Sequence, residues 1–354
     1  MNDKLKRFLI TRDFTVKDAM RFMNTNGQKE SFLIDSRGRL LGSLSDGDIR
    51  KWILKEGKLT IKAERVCNKN PKYVGENFNI EQVKTLMLDQ KIDSVPVMNA
   101  HKKVLDVLIW EDVFSGKVAR LKEPLKLPIV IMAGGKGTRL DPFTKILPKP
   151  LIPVGDKPII ELIMDKFHEY GVKNFYVSLN HKSRMIKSYF QEAQTPYHID
   201  YIQEEMPLGT AGSLRLLENM KSRTFIVTNC DVIINCDYSE MVKFHQEHQY
   251  DLTLVVSLRH YVIPYGVCDI FDGGMLKRIN EKPEYDLLVN TGMYVINRSV
   301  LKYIPKNKFF NVTDLIAKIK LKGLRIGAFP INESSWIDVG QWEEYQKAVK
   351  ILGV

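Results

Sequence analysis

The residues of this chain that could do chemistry cluster first around one short run, Gly134-Gly135-Lys136-Gly137-Thr138-Arg139-Leu140, directly after the apolar segment IVIMA at 129–133. Glycines let a backbone approach a polyphosphate closely, so that its N–H groups donate to phosphate oxygens. Two better-known phosphate loops are excluded. A dinucleotide fingerprint needs glycine where Leu140 stands, and the G-x-x-x-x-G-K-[ST] loop is absent. Downstream, Lys149 lies between Pro148 and Pro150, which restrict the backbone around it. Asn229-Cys230-Asp231 follows the apolar run TFIVT and puts a carboxylate at a strand's end; a second carboxylate stands in Trp336-Ile337-Asp338-Val339-Gly340. Leu208-Gly209-Thr210-Ala211-Gly212 opens a helix, and Glu204 precedes it. Pro264-Tyr265-Gly266-Val267, Glu281-Lys282-Pro283 and Asn290-Thr291-Gly292 complete the series. Alone, the tripeptide at 281–283 reads as a turn; in ordered company it carries more.

The elements that must position these residues read as strands alternating with amphipathic helices from Ile129 onward: a helix near 158–170, a strand NFYVSLN, a helix near 181–193, a strand HIDYIQE, a helix from about 210 and a strand TFIVTN. That alternation predicts a mostly parallel sheet covered on both faces, with ligands at the carboxyl ends of its strands. The first third of the chain differs, because it repeats itself. Val16 matches Ile80, Met23 matches Met87, Leu33 matches Val97 and Asp48 matches Asp112, and 80−16 and 112−48 both give 64. Each copy predicts a helix, two short strands around a turn (residues 35–38 and 99–102), and a second helix. The segment 114–128, with Pro124, Pro128 and weak periodicity, reads as a connection.

The string G-G-x-G-T-R-L, then P-K-P-L, then K-P resembles the mark of the sugar nucleotidyltransferase family over about residues 128–350, and residues 10–118 resemble a tandem pair of CBS motifs. The resemblance implies an α/β, Rossmann-like, mostly parallel nucleotidyltransferase (GT-A-like) domain at 129–354. Ahead of it comes an α+β CBS regulatory domain at 1–122, with repeats of about 10–58 and 66–118 and a linker at 123–128. It further implies that Gly134, Gly135, Gly137 and Thr138 wrap an NTP's triphosphate. Arg139 would act on the leaving pyrophosphate, and Lys149 on phosphates at the reacting centre. Gly209 and Thr210 would hold the nucleotide, with Glu204 reading a guanine edge. Asp231 and Asp338 would bind Mg²⁺, a hard cation suited to carboxylates and phosphate oxygens. Gly266, Glu281, Lys282, Asn290 and Thr291 would meet the sugar 1-phosphate. In the CBS pair, Ser45 and Asp48 keep the Ser-x-x-Asp pattern that grips an adenosine- or guanosine-type nucleotide, whereas the second copy has Ile109 and Asp112, so the hydroxyl is gone.

A CBS pair ahead of this transferase is similar to the glucosamine-1-phosphate guanylyltransferases of bacterial legionaminic acid synthesis. GTP with glucosamine 1-phosphate is therefore the first expectation. Mannose- or heptose-1-phosphate guanylyl transfer follows, then a cytidylyl or thymidylyl enzyme. A catalytically silent nucleotide sensor is the alternative of another class. CBS pairs often stack, so a homo-oligomer is expected.

The formal net charge of +11 fits phosphorylated substrates or a lysine-rich surface; with no basic run carrying interleaved aromatics and no zinc-finger spacing, nucleic acid is not expected as a partner. No stretch approaches the roughly 20 apolar residues of a membrane span, and the start lacks a secretory pattern. Cys67, Cys230, Cys236 and Cys268 form no C-x-x-C pair, so a cytoplasmic protein is expected, with Cys230 and Cys236 as packing residues. His245 and His248 read as solvated positions on a polar helix.

Overall fold

The computed structural model describes residues 3–55, 57–114 and 122–352, so part of the expected connection, residues 115–121, lies outside the described residues. Contacts divide the chain into one unit of Met1–Leu121 with Asn332–Ser334, and a second of Lys122–Ile331 with Ser335–Val354.

In the first unit the 64-residue offset holds for the helices and strands shared by the two copies. The helices Val16–Asn26 and Ile80–Gln90 correspond, as do the strands Glu30–Ile34 and Ser94–Met98, the strands Leu40–Ser45 and Val104–Ile109, and the helix starts at Asp46 and Trp110. Even the left-handed residues correspond. Gly27 and Lys91 end the first helices at φ 65° and 53°, and Gly38 and Lys102 close the turns at φ 78° and 61°. Asp35 and Asn99 build those turns in the same way, each accepting backbone N–H bonds two and four residues on. A strand paired parallel to the first strand of each copy completes two three-stranded sheets. Their shared core includes Phe8, Phe32, Met98, Val104 and Val107. Between the copies, Glu30 accepts from Ser94, the residue at its own repeat position.

The second unit is built on a seven-stranded sheet. Its strands are β1 (Ile129–Met132), β2 (Asn174–Leu179), β3 (His198–Gln203), β4 (Thr224–Asn229), β5 (Leu252–Val262), β6 (Glu284–Asn297) and β7 (Ile326–Ile331). Their order is β3-β2-β1-β4-β6-β5-β7. The sheet is mostly parallel, as expected; β6 alone runs against both neighbours. Alternation along each strand feeds two cores. Ile129, Ile131 and Ile226 join one, which contains Ile159, Ile163 and Phe167 of the helix Ile159–His168. Val130, Phe225 and Val227 join the other, with Val300, Leu315 and Ile319. The helix expected from about 210 is instead one α-turn, Gly209–Gly212, followed by a 3₁₀ segment, Ser213–Leu217. His245 is a second correction. It is only 2% exposed, its ring hydrogen-bonded to Thr253 and Asn297, and burial holds its pKa below the ordinary histidine value.

Beyond residue 257 the β5–β6 ladder projects as an arm. The chain between these strands adds a hairpin of Val267–Ile270 and Leu276–Asn280.

Candidate active site

The glycine-rich loop leaves the carboxyl end of β1, where the expected ligand edge lies. Its glycines have distinct reasons to be small. Gly137 has φ 70°, and a Cβ there would come within 2.8 Å of Lys149. A Cβ on Gly134 would stand 2.8 Å from Glu204. Gly135, Thr138 and Arg139 are exposed, and the Arg139 guanidinium makes no hydrogen bond or ion pair with the described residues.

Lys149, Asp231 and Asp338 converge although they come from distant parts of the chain. Two short strands, Val232–Ile234 and Trp336–Asp338, pair antiparallel and set Val232 opposite Asp338; the N–H of Val339 then donates to the Asp231 carbonyl at 2.9 Å. Gly340 closes the arrangement. A Cβ there would meet Asp231 at 2.5 Å, Asp338 at 2.9 Å and the Lys149 ammonium at 3.2 Å, and its N–H donates to Asp338 at 2.7 Å. Lys149 forms an ion pair with Asp231. Burial draws the Lys149 pKa down, but the charge of Asp231, reinforced by Asp338, outweighs it and holds the ammonium above its ordinary value. Burial, and then the charge of Asp231, raises the Asp338 carboxyl, against the Gly340 N–H. Two hard carboxylates pressed together in a partly dry site are a donor set that suits a divalent cation.

Gly292 (φ 89°) lies so close to Asn229 that a Cβ would reach its amide at 2.5 Å. This contact carries the Asn290-Thr291-Gly292 segment of β6 to the end of β4. Within it Thr291 is buried and donates to the Val255 carbonyl, while exposed Asn290 bonds Tyr294 and the Gly292 N–H. Thr291 is thus engaged by the sheet itself. Gly266 packs against Glu281, 3.0 Å from a Cβ. Lys282 is exposed at φ 45° and makes no hydrogen bond or ion pair with the described residues.

Glu204 is engaged by the chain as well. It is 5% exposed; one carboxylate oxygen accepts from Ser178 at 2.5 Å and the other from the Leu208 N–H at 3.1 Å. It ties the end of β2 to the segment 208–212 and packs against Gly134, with both oxygens accepting hydrogen bonds from the chain. The small residues of that segment answer to the chain as well. Gly209 and Gly212 leave room for the carbonyls of Phe310 and Lys308, and the Thr210 hydroxyl accepts from the Val312 N–H.

Sequence reasoning missed Lys182. Held at φ 52° just beyond β2, it donates its ammonium to the carbonyls of Thr144, Lys145 and Ile146, ending the short helix between Arg139 and Lys149. No motif announces it; a lysine in the left-handed region is visible only in the backbone. In the first unit, Ser45 and Asp48 form a closed capping box at the start of the helix Asp46–Leu54: the Ser45 hydroxyl accepts from the Asp48 N–H at 3.2 Å, and the Asp48 carboxylate accepts from the Ser45 hydroxyl at 2.7 Å. Asp112 pairs with Lys4 and accepts from the Ile109 N–H. Among the described residues no group of three or more metal-ligating side chains occurs, and no helix is long and apolar enough to cross a membrane.

Comparison with known proteins matches the family described as "Nucleotidyl transferase" to residues 129–353, and the CBS domain to residues 5–55 and 63–117. A UTP–glucose-1-phosphate uridylyltransferase of a Synechocystis species is 29% identical over 241 residues, 62% of each chain. A mannose-1-phosphate guanyltransferase of Emericella nidulans is 32% identical over 225 residues, 61% of each. The crystal structure of HddC from Yersinia pseudotuberculosis complexed with GMP-PN is 26% identical with a TM-score of 0.50, over 64% of this chain and 99% of that one. The chain spans about three fifths of the length of the curated relatives it matches.

Proposed function

The chain belongs to the nucleotidyl transferase family and carries a CBS pair ahead of that domain, and from that premise we propose that it transfers a nucleotidyl group from an NTP to a sugar 1-phosphate. A phosphate oxygen of the sugar 1-phosphate bonds to the α-phosphorus of the NTP. The bond from that phosphorus to the β-phosphate oxygen breaks, and pyrophosphate leaves. The attacking phosphate is ionised at neutral pH, so no general base is needed. The difficulty is repulsion: like unit charges about 4 Å apart cost about 1 kcal/mol in water and several times that in a less polar cleft. The observation that carries the reading is the meeting of Lys149, Asp231 and Asp338 around Gly340, beside a glycine-rich loop with an uncommitted arginine.

In this reading the loop N–H groups and Arg139 receive the triphosphate, and Lys149 holds positive charge at the reacting centre. Lys282 and Glu281 orient the sugar phosphate, with Asn290 nearby. A Mg²⁺ ion held by Asp231 and Asp338 would supply charge neutralisation to the phosphate oxygens. Glu204 and Lys182 keep the loop in place. Catalysis is then positioning and charge compensation.

GTP and glucosamine 1-phosphate, for a surface sugar such as legionaminic acid, are our first choice, on the strength of the CBS–transferase layout and the guanylyltransferase relatives. The uridylyltransferase relative favours UTP as a second reading. We further assign to Ser45 and Asp48 an adenosine- or guanosine-type regulatory nucleotide. The full-length protein incubated with Mg²⁺, each NTP and a panel of sugar 1-phosphates, with pyrophosphate as readout, tests the whole reading. The expected result is release dependent on both GTP and the sugar phosphate. No release from any pair, alongside tight nucleotide binding, would replace it with a silent sensor.

A further inference from the structure

The edge of the seven-stranded sheet remote from the glycine-rich loop holds a cavity of about 550 Å³. Arg223 stands just before β4, Asp251 just before β5 and Asn297 at the last position of β6, and all three line it. β4 runs six residues from this cavity to Asn229, at about 3.3 Å each, so about 20 Å separate it from the edge where Lys149 meets Asp231. Leu301 apart, the lining side chains among the described residues are charged or polar, and positive charge is in excess. Arg215, Arg223, Arg298 and Lys302 face only Glu218 and Asp251. Glu218 is already divided, with one oxygen 2.9 Å from Arg215 and the other 3.4 Å from Lys306.

The donors here are underused. The Arg223 guanidinium and the Ser299 hydroxyl make no hydrogen bond or ion pair with the described residues. The Lys302 ammonium has the Tyr303 ring, 5.1 Å from its centre, and no carboxylate among the described residues. Arg215 is only 17% exposed; Nη1 donates to the Leu301 carbonyl and Nη2 pairs with Glu218, yet its Nε is buried without an acceptor. A buried donor left unmet is costly, and a ligand that brings an acceptor removes that cost.

We propose that this cavity binds the phosphate group of a small molecule. Guanidinium forks match phosphate oxygens two at a time, and several cations in one wall favour a multiply charged anion over a lone carboxylate. The same polarity excludes an apolar occupant. The volume lies within the roughly 300–1,000 Å³ of small-molecule sites, more than a bare ion fills, so the phosphate belongs to an ester. One oxygen of Asp251 accepts from the Arg325 N–H, and its other oxygen is the acceptor for an ester's hydroxyl. On the proposed transferase reading, a phosphate held there is too far from Lys149 and Asp231 to be a reactant.

Hydrogen exchange on the full-length protein tests the site, with inorganic phosphate and glucose 6-phosphate as probes. Each should slow the amides of Ser213–Leu217 and Arg298–Tyr303, which carry Arg215, Ser299 and Lys302. Arg223→Glu should raise the concentration needed for that protection about 10-fold or more. Should Arg223→Glu fail to fold, Lys302→Glu, at an exposed side chain, takes its place. The ester should protect at lower concentration than the free ion; protection by the ion at an equal or lower concentration would overturn the ester. No protection from either probe, or protection undiminished in the folded charge-reversed variant, would overturn the site itself. Because exchange needs no turnover, the outcome is independent of the assigned reaction.

Discussion

The two places where the chain presents a conspicuous polar motif differ in what the fold does with it. Around Gly340, Lys149, Asp231 and Asp338 arrive from three distant segments, and no local element requires them to meet. At the start of the helix Asp46–Leu54, Ser45 and Asp48 are three residues apart and satisfy each other. Thr15 and Asp18, with the same spacing and no expected ligand, close an identical box at the helix Val16–Asn26. A short-range motif that a helix start would need anyway carries less functional weight than charges drawn together over long range against their own repulsion.

The largest effect that could break this comparison is on turnover. Asp231→Asn keeps the shape of the side chain and removes its charge, and Lys149→Ala removes the counter-charge. Each should lower the rate about 10³-fold or more, roughly 4 kcal/mol of transition-state stabilisation, with circular dichroism unchanged. Near wild-type turnover in either variant would mean that the convergence is architectural.

A smaller effect probes the seam between the repeats, where the polar groups are not self-contained. Burial raises the Glu30 carboxyl from an ordinary 4.5 to about 7, with Asp48 and Asp93 adding to it and the Ser94 and Ser43 hydroxyls opposing. Below pH 4.5 the group is protonated in both folded and unfolded chains. Between 4.5 and 7 the unfolded chain sheds its proton while the folded one keeps it, so stability falls as pH rises. The loss is complete above 7 and amounts to about 3 kcal/mol. Hydrogen exchange in the strands Glu30–Ile34 and Ser94–Met98, corrected for intrinsic rates, should show that decline in wild type and a flat profile in Glu30→Gln. A wild-type profile already flat from pH 4.5 to 7 would remove Glu30 from the seam's electrostatics.

Much of this was legible beforehand, for identifiable reasons. A 64-residue repeat imposes equal element boundaries, so its strands and turns could be read directly, whereas the left-handed lysines that answer the glycines of the first copy could not. Strand ends followed by glycine or aspartate marked the edge to which the substrates are assigned. What escaped was set by neighbours distant in sequence. His245 looks solvated on its own helix, but Thr253 and Asn297 enclose it. Glu204 looks available until Ser178 and Leu208 occupy it. Lys182 has no signature because its partners are three main-chain carbonyls. Composition carries no trace of such partners.

The smallest effect bears on the capping box itself. Ser45→Ala removes the hydroxyl that accepts from the Asp48 N–H, leaving what the second repeat already has at Ile109, where only the backbone N–H reaches Asp112. Losing such a cap costs about 1 kcal/mol, so amides in the first turn of the helix Asp46–Leu54 should exchange about 5-fold faster while those of Val16–Asn26, capped by Thr15, do not change. Equal exchange in variant and wild type would show that the hydroxyl does not hold the helix start. The contrast between the two polar motifs would then fall.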